Sequence, residues 1–213
     1  LDLGAGVLPD IAIPADSGLS LIHSYRESQS TTLSLVLAGR MRCYDGTVHL
    51  WQPEHVTAPR QRAQHIALAG VPEIDSLERV VKVKTAVREQ LAWATSWWRP
   101  TPAVEDSHYP EIMRLLEVDI DLNQQIGSLR TRDRFLLRIT LALLARPDAR
   151  LLIVDDIDQV KSMTVRDEVL ERLRNLSTRV PIIVNSSNPD YAGITDRTIW
   201  VSPNTTGTPQ EEK

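Results

Sequence analysis

The sequence predicts an α/β domain with a mainly parallel core sheet, an antiparallel β-layer from the first third, and an α-helical subdomain inserted at about residues 85–130. Three observations carry this. Between Arg134 and Asp158 a helical pattern is cut by a proline and followed at once by a short, wholly apolar run ending in two carboxylates. From Ile66 onward, strand-like and helix-like segments alternate. Residues 1 to 22, by contrast, mix short apolar runs with Pro9, Pro14, Asp16 and Gly18, which is strand and turn chemistry.

From the start of the chain, Val7-Leu8, Ile11 to Ile13 and Leu19 to Ile22 are the candidate strands of the β-layer. Thr31 to Met41 then reads as a helix with Leu33, Val36 and Leu37 inward, followed by a turn and strand at Tyr44 to Val48. Residues 52 to 70 carry Pro53, Pro59 and several arginines and glutamines before an apolar strand, Ile66 to Ala69. Lys84 to Trp93 and Tyr109 to Val118 are helices of the inserted subdomain, whose large apolar residues are Trp93, Trp97 and Trp98.

Phe135, Leu136, Ile139, Leu143 and Leu144 recur at helical spacing and make one buried stripe. Arg146-Pro147 ends that helix, because proline cannot continue the hydrogen-bond ladder and restricts the residue before it. Leu151 to Val154 is the signature of a central parallel strand covered on both faces, and Asp155 and Asp156 stand at its carboxyl end, where such sheets place their sites. Thr164 to Leu176 is an amphipathic helix with Thr164 and Asp167 as a capping box; Val180 to Val184 and Thr198 to Val201 are further strands. The domain is expected to occupy residues 1–203, with 204–213 a polar, disordered tail.

The bulk numbers exclude several classes. With 213 residues and 42% hydrophobic content the chain can bury a substantial core. Its 24 lysines and arginines against 28 acids give a net charge of −4, so no global basic field points to nucleic acid. Cys43 is the only cysteine, which rules out an internal disulfide and fits a reducing, cytoplasmic setting. No apolar run approaches the roughly 20 residues of a membrane span and no leader pattern opens the chain, so any membrane role is expected to pass through a partner.

Several stretches together resemble the nucleotide-binding domain of ATP-binding cassette (ABC) transporters, a P-loop NTPase fold. Ala145-Arg146-Pro147 and Leu151 to Asp156 are similar to that family's "LARP" turn and Walker B strand. Thr31 to Gly39 is similar to its "STLLxLLAG" helix, Lys84 to Trp93 to its "ltVrEnl" helix, and the first 22 residues to its antiparallel β-subdomain. The resemblance implies that Asp155 is the Walker B aspartate and that Asp156 stands for the catalytic glutamate. It places Arg26, Ser30, Thr31 and Thr32 in a vestigial nucleotide site. It puts Leu129, Arg130, Thr131, Arg132 and Asp133 at the signature motif, Ser186 at the switch histidine, and Glu73 at the Q-loop glutamine.

Measured against that pattern, the chemical residues are missing. A Walker A loop needs glycines to wrap the phosphates and a lysine to reach them. No glycine lies between Gly18 and Gly39, the first lysine is Lys82, and Glu27 adds negative charge to the corresponding stretch. No histidine follows His108, and residues 1 to 24 contain no Phe, Tyr or Trp to stack a base. Asp155 and Thr31 remain suited to a magnesium site, or else mark a strand end that satisfies local donors. Arginines 130, 132 and 134 form either a cationic face for an anion or acidic partner, or a solvated face. Adjacent Trp97 and Trp98 cannot both point into one helical core, so one contributes to an exposed patch or sits at a bend before Arg99-Pro100.

The expectation is thus a degenerate ABC-type subunit without catalytic residues or cofactor. It would pair as a homo- or heterodimer and dock on the cytoplasmic loops of a membrane-protein subunit through Glu73, Trp97 and Trp98, peripheral to the inner membrane face. The alternatives are an ATP-binding subunit of an asymmetric ATPase dimer, using ATP and magnesium, and an anion sensor built on the arginines near the signature.

Overall fold

The computed structural model describes residues 11–14, 16–24, 30–51, 55–71 and 76–201. Among them, β1 (Leu19–Ser24), β2 (Ile66–Ala69), β3 (Leu151–Val154), β4 (Ile182–Ser186) and β5 (Arg197–Val201) form one sheet in the order β2-β3-β4-β1-β5. Every pairing in it is parallel. Helices α1 (Ser30–Leu37), α2 (Pro59–His65), α3 (Val83–Ala94), α4 (Tyr109–Leu115), α5 (Thr131–Leu144) and α6 (Met163–Leu176) complete the fold. No helix among the described residues is long and apolar enough to cross a membrane.

The period-two alternation of strands divides the core between the two faces of the sheet. Leu152, Val154, Ile182, Val184, Ala67 and Ala69 point to one face, where α3, α4, α5 and α6 cover them. Ile153, Ile183, Ile66 and Ile22 point to the other, against Leu33 and Val36 of α1. Helix α5 is buried nearly all round, from Phe135 to Leu144, because it lies between the sheet and the inserted helices. The insertion has no separate core: Val87, Ile112, Leu116 and Ile126 belong to the same cluster as α5 and the sheet.

Several expectations need correction. Leu19 to Ile22 does not belong to an antiparallel layer; it is part of β1, paired in parallel with β4 and β5. No antiparallel strand pair forms among the described residues, where antiparallel contact takes the form of isolated bridges such as Leu50 with Val56. Tyr44 to Val48 bends at Gly46 and forms no strand. Pro59–His65 is a helix, opened by the proline at its first position, where a missing N–H costs nothing. The cap of α6 is Ser162, whose hydroxyl accepts from the Val165 N–H, so Thr164 lies inside the helix. Trp93, Trp97 and Trp98 are not core residues: they are 86%, 92% and 66% exposed. Val7-Leu8, Pro53 and the 204–213 tail lie outside the described residues.

Candidate functional site

Strand β4 lies between β1 and β3, so its carboxyl end reaches both the helix that follows β1 and the carboxylates that follow β3. Asp155 is fully buried there. The Thr31 hydroxyl donates to its Oδ2 and the Ser34 hydroxyl to its Oδ1, both at 2.7 Å. Asn185 at the end of β4 donates from Nδ2 to Ser34 Oγ at 2.5 Å and to the Ser30 carbonyl at 3.2 Å. Thus one chain of donors runs from the strand amide through the Ser34 hydroxyl to the carboxylate, the Thr31 hydroxyl donates separately, and each Asp155 oxygen receives a proton donor from the protein. Thr32 follows on the same helix, half-buried. Arg26 falls outside the described residues.

Asp156 adopts a left-handed backbone (φ 41), uncommon for a residue with a side chain. Burial raises its pKa, and the charges of Asp158 and Asp155 raise it further. Its carbonyl accepts from Gln159 Nε2 at 3.1 Å, and the same amide reaches the Gly70 carbonyl at 2.5 Å. Gly70 (φ +89) permits that approach, since a Cβ there would stand 2.1 Å from the Asp155 carbonyl oxygen. The backbone around the two carboxylates is therefore clamped from the β2 side.

Ser186, the position of the expected switch residue, ends β4 within a buried polar knot. Its hydroxyl contacts Asp158 Oδ2 at 3.0 Å and the Asn188 carbonyl at 2.7 Å. Asp158 also accepts from the Ser187 N–H at 2.6 Å, the Ser187 hydroxyl at 2.9 Å and Asn188 Nδ2 at 3.0 Å. Burial alone would raise the Asp158 pKa, but the bonds from Asn188, Ser187 and Ser186 outweigh it and hold the carboxyl below its ordinary value. Beneath this lies Arg166, which has no solvent exposure. Its Nη2 donates to Ser186 Oγ at 3.2 Å and the Asn188 carbonyl at 3.0 Å. Its Nε stands 3.4 Å from Asp158 Oδ1, an ion pair outside hydrogen-bond geometry.

The segment expected at the signature motif, Leu129 to Asp133, is a separate cluster at the start of α5. Leu129 is buried and Thr131 exposed. Arg130 pairs with Asp133 at 2.7 Å, while Arg132 pairs with Asp133 at 2.9 Å and with Glu168 on α6 at 2.9 Å. The hydrogen bond to Asp133 is the main reason the Arg132 pKa is raised. Arg130, which is 72% exposed, and Arg132 thus each pair with an acid of the same chain. Of the expected docking residues, Glu73 falls outside the described residues. Trp97 and Trp98 stand edge to face, ring centroids 5.8 Å apart, on the exposed turn after α3.

The structure therefore joins Thr31 with Asp155, and leaves Arg130 to Asp133 and the tryptophans elsewhere. Sequence reasoning missed Ser34, Asn185, Asp158 and Arg166. Ser34 was accessible, since three residues after Thr31 on a helix is the same face. Arg166 was also accessible in part, since it falls between Val165 and Val169 at a spacing that turns it inward with Val169, Leu170 and Leu173.

No family model matches the chain, and no curated protein matches it. Many solved structures do. The cbiO1 protein of Clostridium perfringens, part of the ABC transporter complex cbiONQ, is 12% identical with a TM-score of 0.68, over 87% of this chain and 74% of that one. The ABC transporter cassette MJ0796, solved as a dimer, is 13% identical with a TM-score of 0.66, over 90% and 83%. A putative ABC transporter ATP-binding protein from Pyrococcus furiosus is 16% identical with a TM-score of 0.62, over 86% and 84%. The parallel sheet and its covering helices therefore have the fold of ABC-type P-loop NTPase domains.

Proposed function

We propose that this chain is a catalytically degenerate ABC-type subunit that pairs with a second such domain and docks on a membrane-protein assembly as a structural or regulatory component. The observation that carries the reading is the closed network at Asp155. Both carboxylate oxygens are engaged by hydroxyls of α1, so the side chain is satisfied within the protein. The residues around it do not suit a nucleoside triphosphate with magnesium: the sequence supplies no lysine before Lys82, and Ser186 is committed to Asp158. Partner docking is supported by structures of the same fold, one of them part of a transporter complex and one dimeric. The exposed Trp97 and Trp98 are the candidate contact, since tryptophan is favoured at interface hot spots.

A second reading, an ATP-binding subunit of an asymmetric dimer, draws on the 2.7 Å approach of Thr31 to Asp155, which keeps two magnesium-type ligands together. Against it, Arg130 and Arg132, at the surface such a subunit would lend, are held by Asp133 and Glu168. Calorimetric titration with ATP and magnesium separates the two. The proposal expects no saturable heat at micromolar ligand, and a dissociation constant at or below that range would overturn it. Co-purification tests the docking half: Trp97→Ala and Trp98→Ala are expected to stay folded and lose membrane partners. Folded variants that keep every partner would remove these residues from the interface.

A further inference from the structure

Trp93, Trp97 and Trp98 stand close together in the chain, and all three face solvent. Helix α3 buries Val83, Val87 and Leu91, and the periodicity that turns those three inward turns Trp93 outward. The helix stops at Ala94, where the Thr95 hydroxyl donates back to the Leu91 carbonyl at 2.7 Å. The Arg99 N–H then donates to the Ser96 carbonyl at 2.9 Å, which makes Trp97 and Trp98 the central residues of a turn. Their rings meet edge to face and leave the domain's core uncovered by neither. Packing accounts for none of the three, and a cluster of large apolar groups left in water marks a contact surface.

The tip has a charge of its own. No acid occurs from Gln90 to Val104, although acids outnumber bases in the chain as a whole. Lys82, Lys84, Arg88 and Arg99 are exposed on α3 and the turn, against the one acid Glu89, and none of the four is held in an ion pair among the described residues. Lys84 and Arg88 lie one turn apart on the outer face of the helix. A basic fringe thus borders the rings of a chain whose net charge is −4.

We propose that this tryptophan tip enters the headgroup layer of an anionic membrane, with Lys84, Arg88 and Arg99 against the lipid phosphates. An interface hot spot seats its aromatic ring in a packed, water-excluding rim of other contacts. Here the rings stand proud on a helix end and a turn, among alanine, serine and threonine, with cations beside them. That arrangement suits a bilayer surface, where indole puts its apolar body inward and its N–H toward water, and where lysine and arginine are drawn to acidic headgroups. The inference rests on the docking reading for bringing the chain to a membrane, and adds the lipid beside the protein subunit to what the rings touch.

Flotation of the full chain with vesicles of phosphatidylcholine alone, and of phosphatidylcholine with phosphatidylglycerol, tests the contact in the absence of any partner protein. Binding to the anionic vesicles is expected to be at least about tenfold tighter than to the neutral ones at low salt, and to weaken as salt is raised. The double variant Trp97→Ala, Trp98→Ala, shown folded by a thermal melt, is expected to lose at least about tenfold in binding. Arg88→Gln with Arg99→Gln is expected to bring the anionic vesicles close to the level of the neutral ones. Brominated lipid is expected to quench the tryptophan emission of the wild type, and less so that of the double tryptophan variant. No binding to anionic vesicles, equal binding to both compositions, absence of quenching, or a folded tryptophan variant that binds as the wild type does would each overturn the proposal. A tip that ignores lipid yet loses a protein partner when Trp97 and Trp98 are replaced would overturn the lipid contact and leave the docking reading standing.

Discussion

Replacing Asp158 by alanine should be one of the most destabilising single changes near the carboxyl end of the sheet. The substitution strips acceptors from Ser186, the Ser187 amide and hydroxyl, and Asn188, and it takes from the buried Arg166 guanidinium one of its two carboxylate partners, leaving only Asp167. The Asp158 side chain is 13% exposed and that of Arg166 has no exposure, so solvent cannot replace what is lost. Breaking a buried pair by removing one partner typically costs about 3–5 kcal/mol. For a chain of this size that is a fall of about 6–20 °C in Tm. Urea denaturation with a double-mutant cycle is the assay, with Arg166→Met as the second change. Because Arg166 and Asp158 belong to one buried network, the double variant should lose less than the sum of the singles, with a coupling of at least about 1 kcal/mol. A loss below about 1 kcal/mol for Asp158→Ala, or additivity within about 0.5 kcal/mol, would show that the knot does not hold the two loops together.

Asp156 and Asp158 should have opposite pH signatures. The Asp156 pKa is raised, so its contribution to stability is fully present below the unfolded value of about 3.9 and is lost as pH rises through the folded value; Asp156→Asn should therefore stabilise at pH 7 relative to wild type and lose that advantage in acid, as read by thermal melts. The Asp158 pKa is lowered, so its contribution is present above about 3.9 and is lost as pH falls through the folded value. Gly70→Ala should cost more than about 2 kcal/mol in urea unfolding, because its Cβ would stand 2.1 Å from the Asp155 carbonyl oxygen at a positive φ; a near-neutral result would mean the β2 side does not clamp that backbone. Asp155→Asn should lose about 1–3 kcal/mol, since an amide offers a donor where Ser34 or Thr31 already donates; equal stability would show that the hydroxyls do not hold the carboxylate.

What was legible in the sequence was whatever a single element can express by itself. The α5 stripe and the β3 run announced a helix and a doubly covered strand because burial there is decided by local periodicity. The assignment of Leu19 to Ile22 failed for the converse reason. LSLIHS partly alternates apolar and polar residues, which reads as a half-buried strand, yet Ser20, His23 and Ser24 are buried as well because strands pair with β1 on both sides. Helix α2 was invisible because PRQRAQH has no apolar stripe, and its buried residue is the cation Arg62. The Asp158–Arg166 knot joins two segments that meet only once the sheet exists.

The site illustrates a further limit. Asp155 stands at the end of an apolar strand where the resemblance places a metal-binding carboxylate, and the sequence alone left its role open between that and local satisfaction. In the structure it accepts two hydroxyls from α1, one of them tied to Asn185 on the neighbouring strand, so it joins three elements that enclose the carboxyl end of the sheet. A carboxylate with that many structural ties is retained by packing whether or not it meets a cation, because removing it strands buried donors. The strand that ends at Asp155 is therefore evidence about the frame and says little about hydrolysis. The sequence ahead of Thr31 has no lysine and no glycine after Gly18, residue types that would serve a phosphate rather than the core. That asymmetry, more than any single missing residue, is why the fold and the chemistry of this chain must be argued separately.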